Sequence, residues 1–581
     1  MIQRLAIAAL LLALAAPAVA QPGPEQALKD AKALIQAGKP DAGLAAVKTL
    51  AEQGYPPAQN AFGFALQHGN GLPRDPAAAL VWFRRAADQG FADAQFNLGF
   101  MLQRGDAGAA DSTAAVAWFR RAADQGSIPG MAALGMAYAD GSGAPQDTAQ
   151  AIALLARAGL AGDGGAANRL GVMYQLGTGL PRDTTKAAEW YGRAAGANVP
   201  IAAFNLGALM EAGDGIRQDL PNAIRLYKLA ADRGVALAQN SLGMLYAFGR
   251  GIPRDDVQAA LWISRAAEQG LAIAQTNLAA LLEQGRGLRR DDALALGWHR
   301  RAAEQGNLPA INAVGLALLA GRGTPANPQE ALVWFRRAAE AGLPDAQRHL
   351  AQMLERGIGT PSDDDAGRMW YRRAAEAGDA EAQIRLAVLL ETGWHGADRD
   401  AGQAARWYLR AAERGIGIAQ YRLALMFQRG DGVAVDDELA AALLLRAAEQ
   451  RVPGAAWQLG AMAADGRGMV ASLDGAIHWF QVAAQHDGNA LLEQMLGWYD
   501  VLRAAAAEPG HNEPADDAIA VRHLRVAAEH GLASAQNNLG VMLYQGWGVK
   551  QDIEAAKRLF RQAATTGNAA AKAWLAWVEA N

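Results

Sequence analysis

The chain contains no cysteine among its 581 residues. That excludes disulfides, thiolate metal sites, a cysteine nucleophile and a lipidated N-terminal cysteine. Stability must come from packing. Charge is sparse: 19% of residues are charged, and 54 Lys and Arg against 58 Asp and Glu leave a net charge of −4. The acids are spread along the chain without forming a tail, so non-specific nucleic-acid binding is not expected. Aromatic residues make up only 7%, yet 51% of the chain is hydrophobic, enough for a core and against global disorder. Catalytic signatures are also lacking, for no Gly-x-Ser-x-Gly, Ser-x-x-Lys, His-Glu-x-x-His or Walker glycine-lysine pattern occurs. The nine histidines do not converge in sequence, and His511, His523 and His530 are the nearest approach to a metal cluster. No catalytic residue, metal or cofactor is expected.

Long apolar runs are scarce as well. Leu5 to Leu14 form one, ending at Pro17, and it is too short to cross roughly 30 Å of hydrocarbon comfortably. With Arg4 before it and Ala18-Val19-Ala20 after it, the stretch reads as a cleaved secretory signal over residues 1–20. The mature chain is then expected to begin at Gln21, to lack an integral membrane segment and to be periplasmic or secreted.

What the chain has in abundance is a repeat. Arg84-Arg85-Ala86-Ala87-Asp88-Gln89-Gly90 recurs at Arg120 to Gly126 and Arg300 to Gly306, with variants ending at Gly342, Gly378 and Gly415. Counted on that position, which is glycine in every one but Asn198, units open at 54, 90, 126, 162, 198, 234, 270, 306, 342 and 378, every interval being 36 residues. Further units open at 415, 451, 488 and 531. A fixed period in this range decides the architecture.

Each unit reads as two helices. The first carries Ala-Gln-x-x-Leu-Gly, as in Ala94 to Gly99 and Ala238 to Gly243, and stops at a Gly-x-Gly such as Gly177-Thr178-Gly179. Those glycines supply φ > 0 for ending a helix and reversing the chain. Six residues after the first glycine stands an N-cap residue, as at Asp75, Asp111, Asp255, Asn327, Asp363 and Ser472. Acidic runs such as Asp363-Asp364-Asp365 could instead suggest calcium, but no EF-hand spacing is present. The second helix carries Trp seven residues after the cap, at Trp82, Trp118, Trp190, Trp262, Trp298, Trp334, Trp370, Trp407 and Trp479, and closes with an alanine pair such as Ala86-Ala87. The Trp row is expected in the core, with a sugar-stacking surface as the alternative. Small residues after the leucine position, Gly63, Gly99, Gly135, Gly171, Ala279 and Ala351, are expected to receive large partners.

These residues resemble the Sel1-like repeat, a relative of the tetratricopeptide repeat, over residues 54–567 in fourteen units. The tetratricopeptide repeat proper, with about 34 residues, is the alternative. The resemblance implies an all-α fold, a right-handed α/α superhelical solenoid of about fourteen 36-residue helix-turn-helix repeats. It also implies a scaffold for other proteins, often in bacterial envelope assembly, polysaccharide export or host contact. A cysteine-rich branch of the family has penicillin-binding activity, which is not carried over to a chain without cysteine.

Residues 21–53 are expected to be N-terminal capping helices and residues 568–581 a C-terminal capping helix, since a solenoid must cover both apolar ends. The unit opening at Gly488 departs from the pattern, with an insertion over 503–516.

The first helix of each unit is expected to offer the recognition surface. Asn97, Asn205 and Asn277 recur immediately before the leucine of the first helix, where Asn is a poor helix former. Two readings stand: an amide ladder for an extended peptide or glycan, or bonds to a neighbouring unit's backbone. Further on the same positions hold Arg348 and His349, Arg385, Tyr421 and Arg422, and Trp457. Arg348, Arg385 and Arg422 are expected to form a basic line for an acidic segment, unless they sit on a solvated face. The expected function is an exported, non-enzymatic adaptor holding a protein partner. Glycan or peptidoglycan binding is the alternative.

Overall fold

The computed structural model describes residues 23–393 and 399–472, individual residues within 475–483 and 521–529, and residues 533–565 and 568–580. The expected signal segment, the 503–516 insertion, and His511, His523 and His530 lie outside the described residues. Two bodies divide the chain, residues 1–305 and 306–581. Each is built from antiparallel helix pairs, and no strand occurs among the described residues. The all-α solenoid expected from the period is therefore the fold. No helix among the described residues is long and apolar enough to cross a membrane.

The period sets the element lengths. First helices such as Ala92–Arg104, Ala236–Phe248 and Ala272–Gln284 have thirteen residues, and so do second helices such as Ser112–Asp124 and Asp256–Glu268. A side chain starts each second helix: Asp111 accepts from the Ala114 amide at 2.9 Å, satisfying one of the free N-terminal donors. Asp75, Asp147, Asp183, Asp219, Asp255, Asp291, Asn327, Asp363, Asp400, Asp436, Ser472 and Asp552 make the same bond. In the acidic run Asp363 is thus a cap, while Asp365 pairs with Arg368.

The Gly-x-Gly turn serves two purposes. Gly285, at φ 65°, ends helix Ala272–Gln284 in the left-handed conformation. Gly287, at φ 69°, lies so close to the preceding repeat that a Cβ there would sit 1.8 Å from the Asp256 carbonyl oxygen. The turn rests directly on the start of helix Asp256–Glu268.

The Trp row belongs to the core without being its centre: Trp262 and Trp370 are buried, and Trp82, Trp118, Trp190 and Trp298 pack half-buried against core clusters. In each second helix the deepest large side chain is the residue after the Trp position: Phe83, Phe119, Tyr191, Phe335, Tyr371 and Tyr408 are at most 1% exposed. Phe119 fills the seat left by Gly99, where a Cβ would meet its ring at 2.7 Å. The expected fit of large to small holds with that partner. Adjacent helix positions point about 100° apart, so Trp118 turns toward the previous repeat and packs on the cluster of Ala79, Phe83, Leu98 and Met101. Its outer face is covered by Arg121, 4.5 Å from the ring centroid. Arginines cover Trp82, Trp190, Trp262, Trp298, Trp334, Trp370 and Trp407 likewise. The indoles line the seam between repeats.

At the N-terminal end, helices Pro24–Gln36 and Pro40–Glu52 place Leu28, Val47 and Leu50 against Phe62 of the first repeat. Following the last repeat, helix Ala569–Ala580 stacks Trp574 on Phe560, centroids 5.8 Å apart.

Candidate partner-binding site

The binding face is what remains of the first helices once their bonds to neighbours are made. The fourth position is often a buried glutamine. Gln95 is 4% exposed, and its Nε2 donates to the Ala87 carbonyl of the preceding repeat at 3.2 Å. Its Oε1 accepts from Gln125 Nε2 at 2.7 Å, Gln125 being the residue at the end of the second helix. The same two-glutamine clip joins Gln59 with Gln89, Gln239 with Gln269, Gln275 with Gln305, and Gln420 with Gln450. These residues escape a motif search because the members stand 30 residues apart. The signal is present nevertheless: where the fourth position is apolar, as at Met131, Ala167, Ala203 and Ile311, the end of the second helix has Ala161, Ala197, Arg233 or Ala341 in place of glutamine.

Asn97, Asn205 and Asn277 neither stand free nor bond a neighbouring backbone. Each donates through Nδ2 to an asparagine 37 residues earlier: Asn97 to Asn60 at 2.9 Å, Asn205 to Asn168 at 3.4 Å, and Asn277 to Asn240 at 2.9 Å. His349 Nδ1 and Asn312 Oδ1 form the corresponding rung at 2.9 Å. Burial, helped by the Arg348 charge, pushes the His349 imidazole down to about 4 from an ordinary 6.5. As the pH falls through 6.5 the unfolded chain therefore takes up a proton that the folded chain refuses. Stability fully present above pH 6.5 should be lost progressively toward pH 4, by up to about 3 kcal/mol. His349→Asn keeps a donor for Asn312 and removes this titration. Urea midpoints at pH 7 and pH 4.5 should converge in the variant relative to the parent.

The three arginines do not form one free basic line. Arg348 Nε donates to Asp379 Oδ2 at 3.1 Å, and its other nitrogens pair with Glu381 at 2.9 Å and Asp345 at 3.4 Å. Arg385 pairs with Glu355, whose side chain is 3% exposed and also accepts from the Tyr371 hydroxyl at 2.5 Å. Burial first, and then this carboxylate, push the Tyr371 hydroxyl far above its ordinary range. Arg422 differs: it is exposed, and among the described residues no ion pair or hydrogen bond engages it. Tyr421 and Trp457 are half-buried and pack against the cluster around Leu423 and Leu459, so neither is an open stacking platform. Among the described residues no group of three or more His, Asp or Glu could hold a metal ion.

The second, ninth and thirteenth positions of a first helix lie on one outward stripe. In the body of residues 1–305 five of the seven first helices expose apolar side chains there, Phe64 at 46%, Phe100 37%, Leu176 68%, Leu237 42%, Phe248 63% and Ile273 50%, interspersed with charged residues such as Asp93, Arg104 and Asp140.

Helix pairs of constant length, capped and clipped to their neighbours, define an α/α solenoid repeat protein. The Sel1 repeat model matches fourteen segments of this chain, contiguous or nearly so from 56 to 487 and again at 503–532 and 533–568. The chain belongs to the Sel1 repeat family. It is similar to a protective antigen of uropathogenic Escherichia coli that displays an SLR fold, at 30% identity over 83% of this chain and 97% of that one, with a TM-score of 0.58. It is also similar to a Sel1 repeat protein from Oxalobacter formigenes, at 32% identity over 56% of this chain and 93% of that one, with a TM-score of 0.44. Sel1 repeat proteins generally mediate protein–protein interaction.

Proposed function

We propose that the chain is an exported, non-catalytic bacterial scaffold that holds a protein partner on the outward stripe of its first helices and serves the cell envelope. The apolar stripe of Phe64, Phe100, Leu176, Leu237, Phe248 and Ile273 carries this reading. Isolated exposed apolar side chains are ordinary, but six of them on the same face of five first helices suit a partner's own apolar face. In the second body, taken by itself, the exposed Arg422 suits a partner's carboxylate. The apolar run Leu5 to Leu14 and the Ala18-Val19-Ala20 site support export.

Photo-crosslinking side chains placed in the cell at Phe100 and Phe248 test the scaffold. Discrete protein adducts are expected at both, and none at Val81, an exposed residue of a second helix. Adducts of equal yield at all three positions, or adducts only with peptidoglycan, would sink the reading. Export is checked separately: the mature chain should begin at Gln21.

A further inference from the structure

We propose that the repeats spanning 344–416 form a built-in opening point of the solenoid, created by two consecutive broken glutamine clips. Gln347 and Gln383 occupy the fourth position of helices Pro344–Arg356 and Ala380–Thr392 and are 7% and 4% exposed. Each makes the inner half of the clip, Nε2 donating to Ala339 at 3.1 Å and to Ala375 at 3.0 Å. Neither Oε1 has a hydrogen-bond partner. The residue that should supply the donor is Ala377 in one repeat, a methyl group, and Arg414 in the next, whose guanidinium reaches the Gly378 carbonyl instead.

Among the described repeats five have both glutamines, and those opening with Met131, Ala167, Ala203 and Ile311 at the fourth position have neither; besides these two, the rule fails at Gln536, near the end of the array, whose Nε2 donates to Ala528 at 3.2 Å and whose Oε1 also lacks a partner. A buried acceptor without a donor carries its desolvation cost for as long as the joint stays closed, and water relieves it when the joint opens. At a complete clip the balance is reversed, because opening breaks a satisfied bond. In an array held by nearest-neighbour interfaces, opening concentrates at the weakest joint. Here two joints without a complete clip follow one another; the second is also crossed by ion pairs from Arg348 to Asp379 and Glu381 and from Arg385 to Glu355.

Hydrogen-exchange mass spectrometry on the full chain tests this, comparing the parent with an Ala377→Gln/Arg414→Gln variant. Both positions are exposed ends of second helices, so the new side chains have room. In the parent, amides of 344–356 and 380–392 should exchange faster than those of 272–284, where the clip is complete. The double variant should slow them by roughly five-fold or more and leave 272–284 unchanged. The reciprocal change, Gln269→Ala, strips the donor from Gln239 and should speed exchange in 236–248 by a similar factor. Equal protection in the parent, or no slowing in the double variant, overturns the proposal, since ordered water would then satisfy both oxygens in the closed state.

Discussion

Gly287→Ala should destabilise the body of residues 1–305 by about 3 kcal/mol or more, seen as a large fall in its urea midpoint. Two effects add. An alanine at φ 69° costs about 1–2 kcal/mol for the left-handed backbone alone. Its Cβ would also lie 1.8 Å from the Asp256 oxygen, 2.4 Å from its carbonyl carbon and 2.9 Å from the Val257 nitrogen. All three are backbone atoms, so no side-chain rotation relieves the clash, and the turn must lift off helix Asp256–Glu268. Lifting it breaks the Arg286 bridge, which donates to Asp256 at 2.7 Å and to the Ala247 carbonyl at 2.6 Å. Gly270→Ala is the control: at φ 91° it has the backbone strain, but nothing lies within 4 Å of its Cβ. It should lose only the strain. Equal losses in the two variants would show that the close contact contributes nothing.

The second large effect separates the arginines. Arg385→Glu leaves the Glu355 carboxylate buried without its cation and sets a like charge beside it. The expected loss is about 2–4 kcal/mol, toward the low end for breaking a buried pair because Arg385 is itself 38% exposed. Arg348→Glu should also be costly: that side chain is 13% exposed among three carboxylates. One of them, Asp379, caps helix Ala380–Thr392 through the Ala382 amide. Arg422→Glu should shift stability by under about 0.5 kcal/mol. A variant carrying all three changes would thus confuse lost folding with lost binding, and Arg422→Glu alone is the clean test of an acidic partner. An Arg385→Glu chain with the parent's midpoint would refute the structural role of the Glu355 pair.

Much of this was legible from the residues, because a period of 36 repeats every local rule. Caps such as Asp111, the turn at Gly285 and the seat at Gly99 depend on neighbours within one unit, so their spacing reveals them. The Trp row is in the core as expected, but its depth was not legible: Trp118 and Phe119 are both large and adjacent, and only the helix rotation relative to Gly99 tells which one takes the deepest seat. The clips and rungs lie 30 and 37 residues apart, so they emerge only when units are aligned on one another. The pairing of Arg348 and Arg385 was not legible. Which carboxylate a long guanidinium reaches depends on side-chain rotamers and on the stagger of successive helices.

The two kinds of link differ in where their members are encoded. Both glutamines of a clip, such as Gln95 and Gln125, fall within a single matched repeat, 92–127, whereas the rung from Asn97 to Asn60 crosses from that repeat into 56–91. A gene that gains or loses one repeat by recombination therefore keeps every clip intact but reshuffles the rungs. Excising 92–127 would set Asn60 against Ala133, with no donor in reach of its oxygen, while the Gln59–Gln89 clip of the preceding repeat stays whole.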